Sequence, residues 1–206
     1  GVGLKIIGSF AFYQCKNFNT SLIIPNNINT INTFAFSESA ITSLTIGSGL
    51  TTISISAFAK WTSLTGSLVI PNNIQSIGAY AFQQTAITSL SIGAGVTIID
   101  SYAFSQCGSL ANLIIPNNVI TVEMGAFQQT GIKSLSIGSG LNRLNYRTFY
   151  MCLQLTTNII IPNNIKSIDS EVFRQSSIIS VVFGSGLTTI GSSAFYQCKS
   201  LTGALV

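Results

Sequence analysis

Four cysteines, five carboxylates and no histidine make up the reactive inventory of this 206-residue chain. Cys15, Cys107, Cys152 and Cys198 each stand three residues after a phenylalanine (Phe12, Phe104, Phe149 and Phe195), and Trp61 takes the equivalent place after Phe58. Without histidine or a close cysteine pair, a zinc site lacks its ligands. Among Glu38, Asp100, Glu123, Asp169 and Glu171, only Asp169 and Glu171 lie close together. No general base stands beside a nucleophile, so this pair reads as solvated surface and the chain as non-enzymatic and free of cofactors. The Gly-x-Gly motifs Gly47/Gly49, Gly93/Gly95, Gly138/Gly140 and Gly184/Gly186 would cradle phosphate only ahead of a helix, and no helical pattern follows them. Asn19-Thr20-Ser21 is the single Asn-x-Ser/Thr sequon, and Asn19 is a candidate N-glycosylation site in a eukaryotic secretory route.

Charged residues are 7% of the chain against 47% hydrophobic, so the surface must be built from hydroxyls and amides. The net charge of +4 is spread over scattered lysines and arginines, and only Arg143 and Arg147 approach each other in sequence. Nucleic acid is not an expected partner, because no basic stripe is present to track phosphates. No apolar run approaches the roughly 20 residues of a transmembrane helix, so no direct membrane insertion is expected in this segment.

The residues that must position everything else recur. Phe12, Phe36, Phe58, Phe82, Phe104, Phe127, Phe149, Phe173 and Phe195 are separated by 24, 22, 24, 22, 23, 22, 24 and 22 residues. Repeats alternate between two kinds. One carries Ile-Pro-Asn-Asn (Ile24–Asn27, Ile70–Asn73, Ile115–Asn118, Ile161–Asn164), and the other carries Gly-x-Gly at the same place.

Counting from Leu22, Leu44, Leu68, Leu90, Leu113, Leu135, Ile159 and Val181 as strand starts, the next phenylalanine is always 14 residues on. From each phenylalanine to the next strand the distance is 10 before the Ile-Pro-Asn-Asn repeats, with one 9, and 8 before the Gly-x-Gly repeats. All length variation therefore falls in the return arm. Apolar residues at offsets 0, 2, 6, 9 and 14 give a strand, a corner, a short irregular arm, an inward phenylalanine and a return. The fold class expected is a repeat solenoid of leucine-rich-repeat type. It is mainly parallel β with irregular or 3-10 return arms, in about nine coils of 22–24 residues. Proline should end the strand ladder for want of an N–H, and glycine should supply backbone conformations closed to other residues.

All four cysteines fall in the same half of the two-coil unit. Equivalent positions are then about 10 Å apart on the parallel-strand spacing, beyond the roughly 7 Å limit for bridged Cα atoms, so free buried thiols are expected. Each thiol reads as a small hydrophobe filling the return arm, a place that also accepts Trp61.

The pattern running through "IPNNIQSIGAYAFQQTAITSLSI" and "SIGSGLTTI…SAFYQCKSL" resembles the BspA-like leucine-rich repeat, with its Ile-Pro corner, its Ile-Gly before Ala-Phe and its Cys after Phe. The resemblance covers the whole chain, though two repeat types alternate and every second repeat lacks the Cys. It implies a secreted or surface-attached binding module, extracellular or on the cell surface, and it carries over no ligand.

Alternation along each strand turns two columns outward. The first is Ser21, Ser43, Ser67, Ser89, Asn112, Ser134, Asn158 and Ser180. The second is Ile23, Thr45, Val69, Ser91, Ile114, Ser136, Ile160 and Val182. They form the candidate binding face, a charge-free sheet for a protein or glycan ligand in adhesion. The alternative expectation is a building block of an extracellular fibre, in which the partners are other copies stacked end to end. Gly1-Val2-Gly3-Leu4 matches a corner and Leu205-Val206 matches Leu68-Val69. Residues 1–206 are accordingly expected to be one uncapped segment of a longer array.

Overall fold

The computed structural model describes residues 3–203, so the readings on Gly1-Val2 and Leu205-Val206 lie outside the described residues. Two columns of parallel strands wind along the chain. The even-numbered strands form the long ladder, at the eight positions the repeat marked: β2 (Ser21–Ile24), β4 (Ser43–Ile46), β6 (Thr65–Ile70), β8 (Ala86–Ile92), β10 (Asn112–Ile115), β12 (Ser134–Ile137), β14 (Asn158–Ile160) and β16 (Ser180–Val182). Its strands are hydrogen-bonded in three sheets, β2–β4, β6–β8–β10–β12 and β14–β16, and like pairs with like within them, Leu22 with Leu44 and Leu113 with Leu135. A bulge at Gly66/Ser67, where Gly66 has φ 77°, lets β6 and β8 pair despite their unequal arms.

The odd-numbered strands are two-residue pieces: β1 (Ile6–Ile7), β3 (Thr30–Ile31), β5 (Thr52–Ile53), β7 (Ser76–Ile77), β9 (Ile98–Ile99), β11 (Thr121–Val122), β13 (Arg143–Leu144), β15 (Ser167–Ile168) and β17 (Thr189–Ile190). They too pair in parallel, in three sheets β1–β3, β5–β7–β9–β11 and β13–β15–β17, where an irregular arm was expected.

Each coil then turns three times around its phenylalanine. In the first such arm Ala11, Tyr13 and Cys15 donate N–H groups back to Gly8, Phe10 and Phe12, while Phe10, Phe12 and Gln14 donate across to Thr33, Ala35 and Ser37 of the next coil. The same alternation recurs in later coils. Its cause is backbone hand, because the residues two before and two after each phenylalanine all have positive φ. Seventeen of these are not glycine, among them Phe10, Tyr80, Gln84 and Gln197. A left-handed residue on either side of the phenylalanine, four positions apart, turns the backbone so that those N–H groups reach the neighbouring coil. Among the described residues no 3-10 segment forms.

The left-handed side chains also meet their equivalents. Phe10 stacks on Phe34 at 5.1 Å and Tyr80 on Tyr102 at 5.1 Å. Gln84 Nε2 donates to Gln106 Oε1 at 2.5 Å, and Gln106 Nε2 to Gln129 Oε1 at 2.9 Å. Such stacking and amide pairing offset the cost of non-glycine residues at positive φ, of order 1–2 kcal/mol each. Inside, the nine repeat phenylalanines form one unbroken stack with centroids 4.9–6.1 Å apart. Phe58, Phe82, Phe104, Phe127, Phe149 and Phe173 are fully buried in it.

The corners work differently from the expectation. The glycines of the Gly-x-Gly pairs are not in the left-handed region. They are required by close approach, because a Cβ on Gly47 would stand 2.5 Å from the Ile24 carbonyl oxygen and one on Gly93 2.6 Å from the Pro71 carbonyl carbon. The Asn-Asn pair staples both neighbours. Asn72 Oδ1 accepts from the Ala94 N–H ahead at 2.9 Å, and Asn73 Nδ2 donates to the Gly47 and Leu50 carbonyls behind at 3.2 and 2.5 Å.

All four cysteines are free. Cys107, Cys152 and Cys198 are buried and Cys15 is half-buried. Filling is only part of their role. Cys107, Cys152 and Cys198 each point sulfur at the carbonyl of Phe82, Phe127 or Phe173, one coil back, at 3.2, 3.4 and 3.0 Å. In the intervening coils Ser39 and Ser176 donate to Phe12 and Phe149 at 2.8 and 2.9 Å. Every residue of the full column Cys, Ser, Trp, Thr, Cys, Thr, Cys, Ser, Cys can donate, although Thr130 donates to Phe127 of its own coil at 2.8 Å and Thr85 meets the Cys107 sulfur at 3.2 Å.

Candidate binding face

The two columns named from the sequence stand on the outer side of the long ladder because their neighbours Leu22, Leu68, Leu113 and Ile159 point into the core. All sixteen residues are exposed except Ser180, which is half-buried. Strand register assembles them into rows: Ser21 against Ser43, Ile23 against Thr45, Val69 against Ser91, Ile114 against Ser136 and Ile160 against Val182.

Ile23, Val69, Ile114 and Ile160 are 55–69% exposed, high values for large apolar side chains. They recur every second coil, about 10 Å apart on the strand spacing, with Thr45, Ser91 and Ser136 between them. The face is a ridge-and-gap surface of isoleucine, valine and hydroxyls beside a row of serines and asparagines. Ser134 Oγ bonds to Asn112 Oδ1 at 2.6 Å within that second row. The face can offer apolar contact and hydrogen bonds but no charge. Asn19, the sequon residue, is exposed just before β2.

The charged side chains gather elsewhere. Asp169 takes Arg143 through two nitrogens, at 2.8 and 2.6 Å, and Glu171 takes Arg147 at 2.9 Å and Arg174 at 3.3 Å. Arg147 lies over the rings of Tyr146 and Tyr150 at 4.9 and 5.0 Å. The hydrogen bond from Arg147 holds the Glu171 carboxyl below its ordinary value. The sequence brought Arg143 near Arg147 and Asp169 near Glu171. The fold brings the two pairs to each other, across coils. Among the described residues, no helix is long and apolar enough to cross a membrane.

A family model described as the BspA type leucine rich repeat region matches residues 2–107 and 75–202, with 6 copies. No curated protein sequence matches the chain. Among solved structures the chain is similar to the pneumococcal vaccine antigen PcpA, with a TM-score of 0.71 and 20% identity over 98% of this chain and 56% of that one. It is also similar to a leucine-rich repeat protein from Eubacterium ventriosum ATCC 27560 (TM-score 0.67, 18% identity, 100% of this chain, 77% of that one). A third is a leucine-rich repeat protein from Bacteroides ovatus ATCC 8483 (TM-score 0.51, 21% identity, 96% and 81%). At these identities the likeness is one of fold, and the chain spans little more than half the length of the pneumococcal antigen.

Proposed function

The chain belongs to the BspA-type leucine-rich repeat family, and from that membership we propose that it is a secreted or cell-surface binding module in which the outer side of the long ladder contacts a protein ligand. One observation carries this reading. The face repeats a large exposed apolar side chain every second coil, at Ile23, Val69, Ile114 and Ile160, without a charged residue in either column. Apolar surface left in water at regular spacing is costly in a monomer and favourable against a partner. A similar fold in a vaccine antigen supports a location outside the cell.

The test is binding of the purified chain to an immobilised panel of extracellular matrix proteins. Ile114→Arg with Ile160→Arg, both at exposed positions, should abolish capture. Gln106→Arg on the turn arm should leave it intact. Capture that survives the double substitution removes the face from the interface.

A further inference from the structure

The alternation of return-arm length cuts a second surface. After Phe36, Phe82, Phe127 and Phe173 the arm is two residues or so shorter than after Phe12, Phe58, Phe104 and Phe149, so every short arm is recessed between two longer ones. Each recess is an open notch. The first has Ser39 and Ala40 as its floor and about 400 Å³ of space, and the second has Thr85 and Ala86 and about 480 Å³. The third is floored by Thr130 and Gly131 with about 260 Å³, and the fourth by Ser176 and Ser177 with about 200 Å³. Thr62 is a wall shared by the first two, and Leu153 by the last two. Four notches of unequal size, at matching stations every second coil, thus run in a line about 10 Å apart, on a different edge from the proposed protein-binding face.

The chemistry of this edge differs from that of the long-ladder face. Its lining is hydroxyl and amide, with Met151 and Leu153 as the large apolar side chains. Its charge is one-sided. Lys16 and Lys60 line the first notch and Lys199 lines the fourth, Glu38 is the acid there, held by Lys60 at 2.8 Å, and the middle two notches are lined by uncharged side chains. The other four acids lie before or within the turn arms, on the far side of each phenylalanine.

We propose that the four notches form one extended site for a linear acidic polysaccharide. Hydroxyls and amides suit sugar hydroxyls, the lysines at the two end notches suit carboxylate or sulfate groups, and a row of sites at constant spacing suits a polymer that repeats as a disaccharide. A peptide is the poorer fit, because the notches offer few apolar pockets for side chains.

Calorimetric titration with hyaluronan and chondroitin sulfate oligosaccharides of increasing length tests the site. Neutral cello-oligosaccharide and a polyproline peptide serve as comparison ligands. Affinity for at least one acidic glycan should rise about tenfold or more as the oligosaccharide grows long enough to span two notches, and should fall with added salt. Lys16→Glu and Lys199→Glu together should abolish binding. Thr62→Trp with Leu153→Trp narrows all four notches without changing charge, at exposed positions that leave folding intact, and should weaken binding at least about tenfold. Failure of both acidic glycans to bind, or full binding by either variant, overturns the proposal. So does equal or tighter binding of the neutral glycan or the peptide.

Discussion

Trp61 and Cys107 occupy the same station two coils apart, and both aim a donor at a phenylalanine carbonyl one coil back: Trp61 Nε1 to Phe36 at 2.6 Å and Cys107 Sγ to Phe82 at 3.2 Å. Residues of very different volume serve one hydrogen-bonding need. Cys107→Ser should therefore cost under about 1 kcal/mol, while Cys107→Val, apolar like a buried thiol but without a donor, should cost about 1–3 kcal/mol. Urea unfolding midpoints would rank the two, and the opposite order would return the position to simple filling.

Burial also fixes thiol chemistry. Desolvation pushes Cys107 and Cys152 up from an ordinary 9.0 to about 11, against a smaller opposing pull from Thr85 and Thr130. Folded values above unfolded ones mean stability that is complete below pH 9.0 and is lost as pH rises toward 11, by at most about 2–3 kcal/mol per thiol. Wild type should lose more stability between pH 8 and 11 than a Cys107→Ser/Cys152→Ser variant does. A thiol-specific chromogenic reagent at pH 8 should label Cys15 first and the other three only after denaturation.

A corner glycine and a return-arm glycine separate close approach from open space. Gly95→Ala would press a methyl group into the Asn72 carbonyl and should cost about 1–3 kcal/mol or more. Gly108→Ala meets nothing within 4 Å and should stay within about 0.5 kcal/mol of wild type. Thermal melts of the two variants decide it, and equal shifts would contradict the packing argument.

Neighbouring asparagines should respond oppositely to the same change. Asn72→Asp keeps the oxygen that accepts from Ala94 and should be tolerated. Asn73→Asp loses the donor to Gly47 and Leu50 and sets a carboxylate against two carbonyls, at a cost of about 1–3 kcal/mol. Chemical denaturation at neutral pH would show the contrast.

Much of the coil was legible in sequence because a stacked column writes the same residue at a fixed interval. Phe36, Phe58 and Phe82 gave the period, and Leu22 with Ile24 gave the strand and its outward neighbours Ser21 and Ile23. The short ladder was not legible. Thr30-Ile31 is too brief to show alternation, and its pairing depends on the coil behind it. Nor was the turn arm, since Phe10, Tyr80 and Gln84 carry none of the usual marks of positive φ, and stacking across coils stabilises them there. The glycines were seen but given the wrong cause, because close approach is a property of two coils and the motif belongs to one. For the donor column, the signal lay in reading Ser39 and Ser176 alongside the cysteines.

The staple between Asn72 and Ala94, with glycine facing Pro-Asn backbone, gives the array a parity. A gene rearrangement that gained or lost one coil would set two Asn-Asn corners, or two Gly-x-Gly corners, against each other, with a collision or an unanswered staple at the join. Change by two coils keeps every corner facing its complement. Such arrays should therefore grow and shrink by recombination in blocks of about 46 residues, and a family of length variants would differ by even numbers of coils.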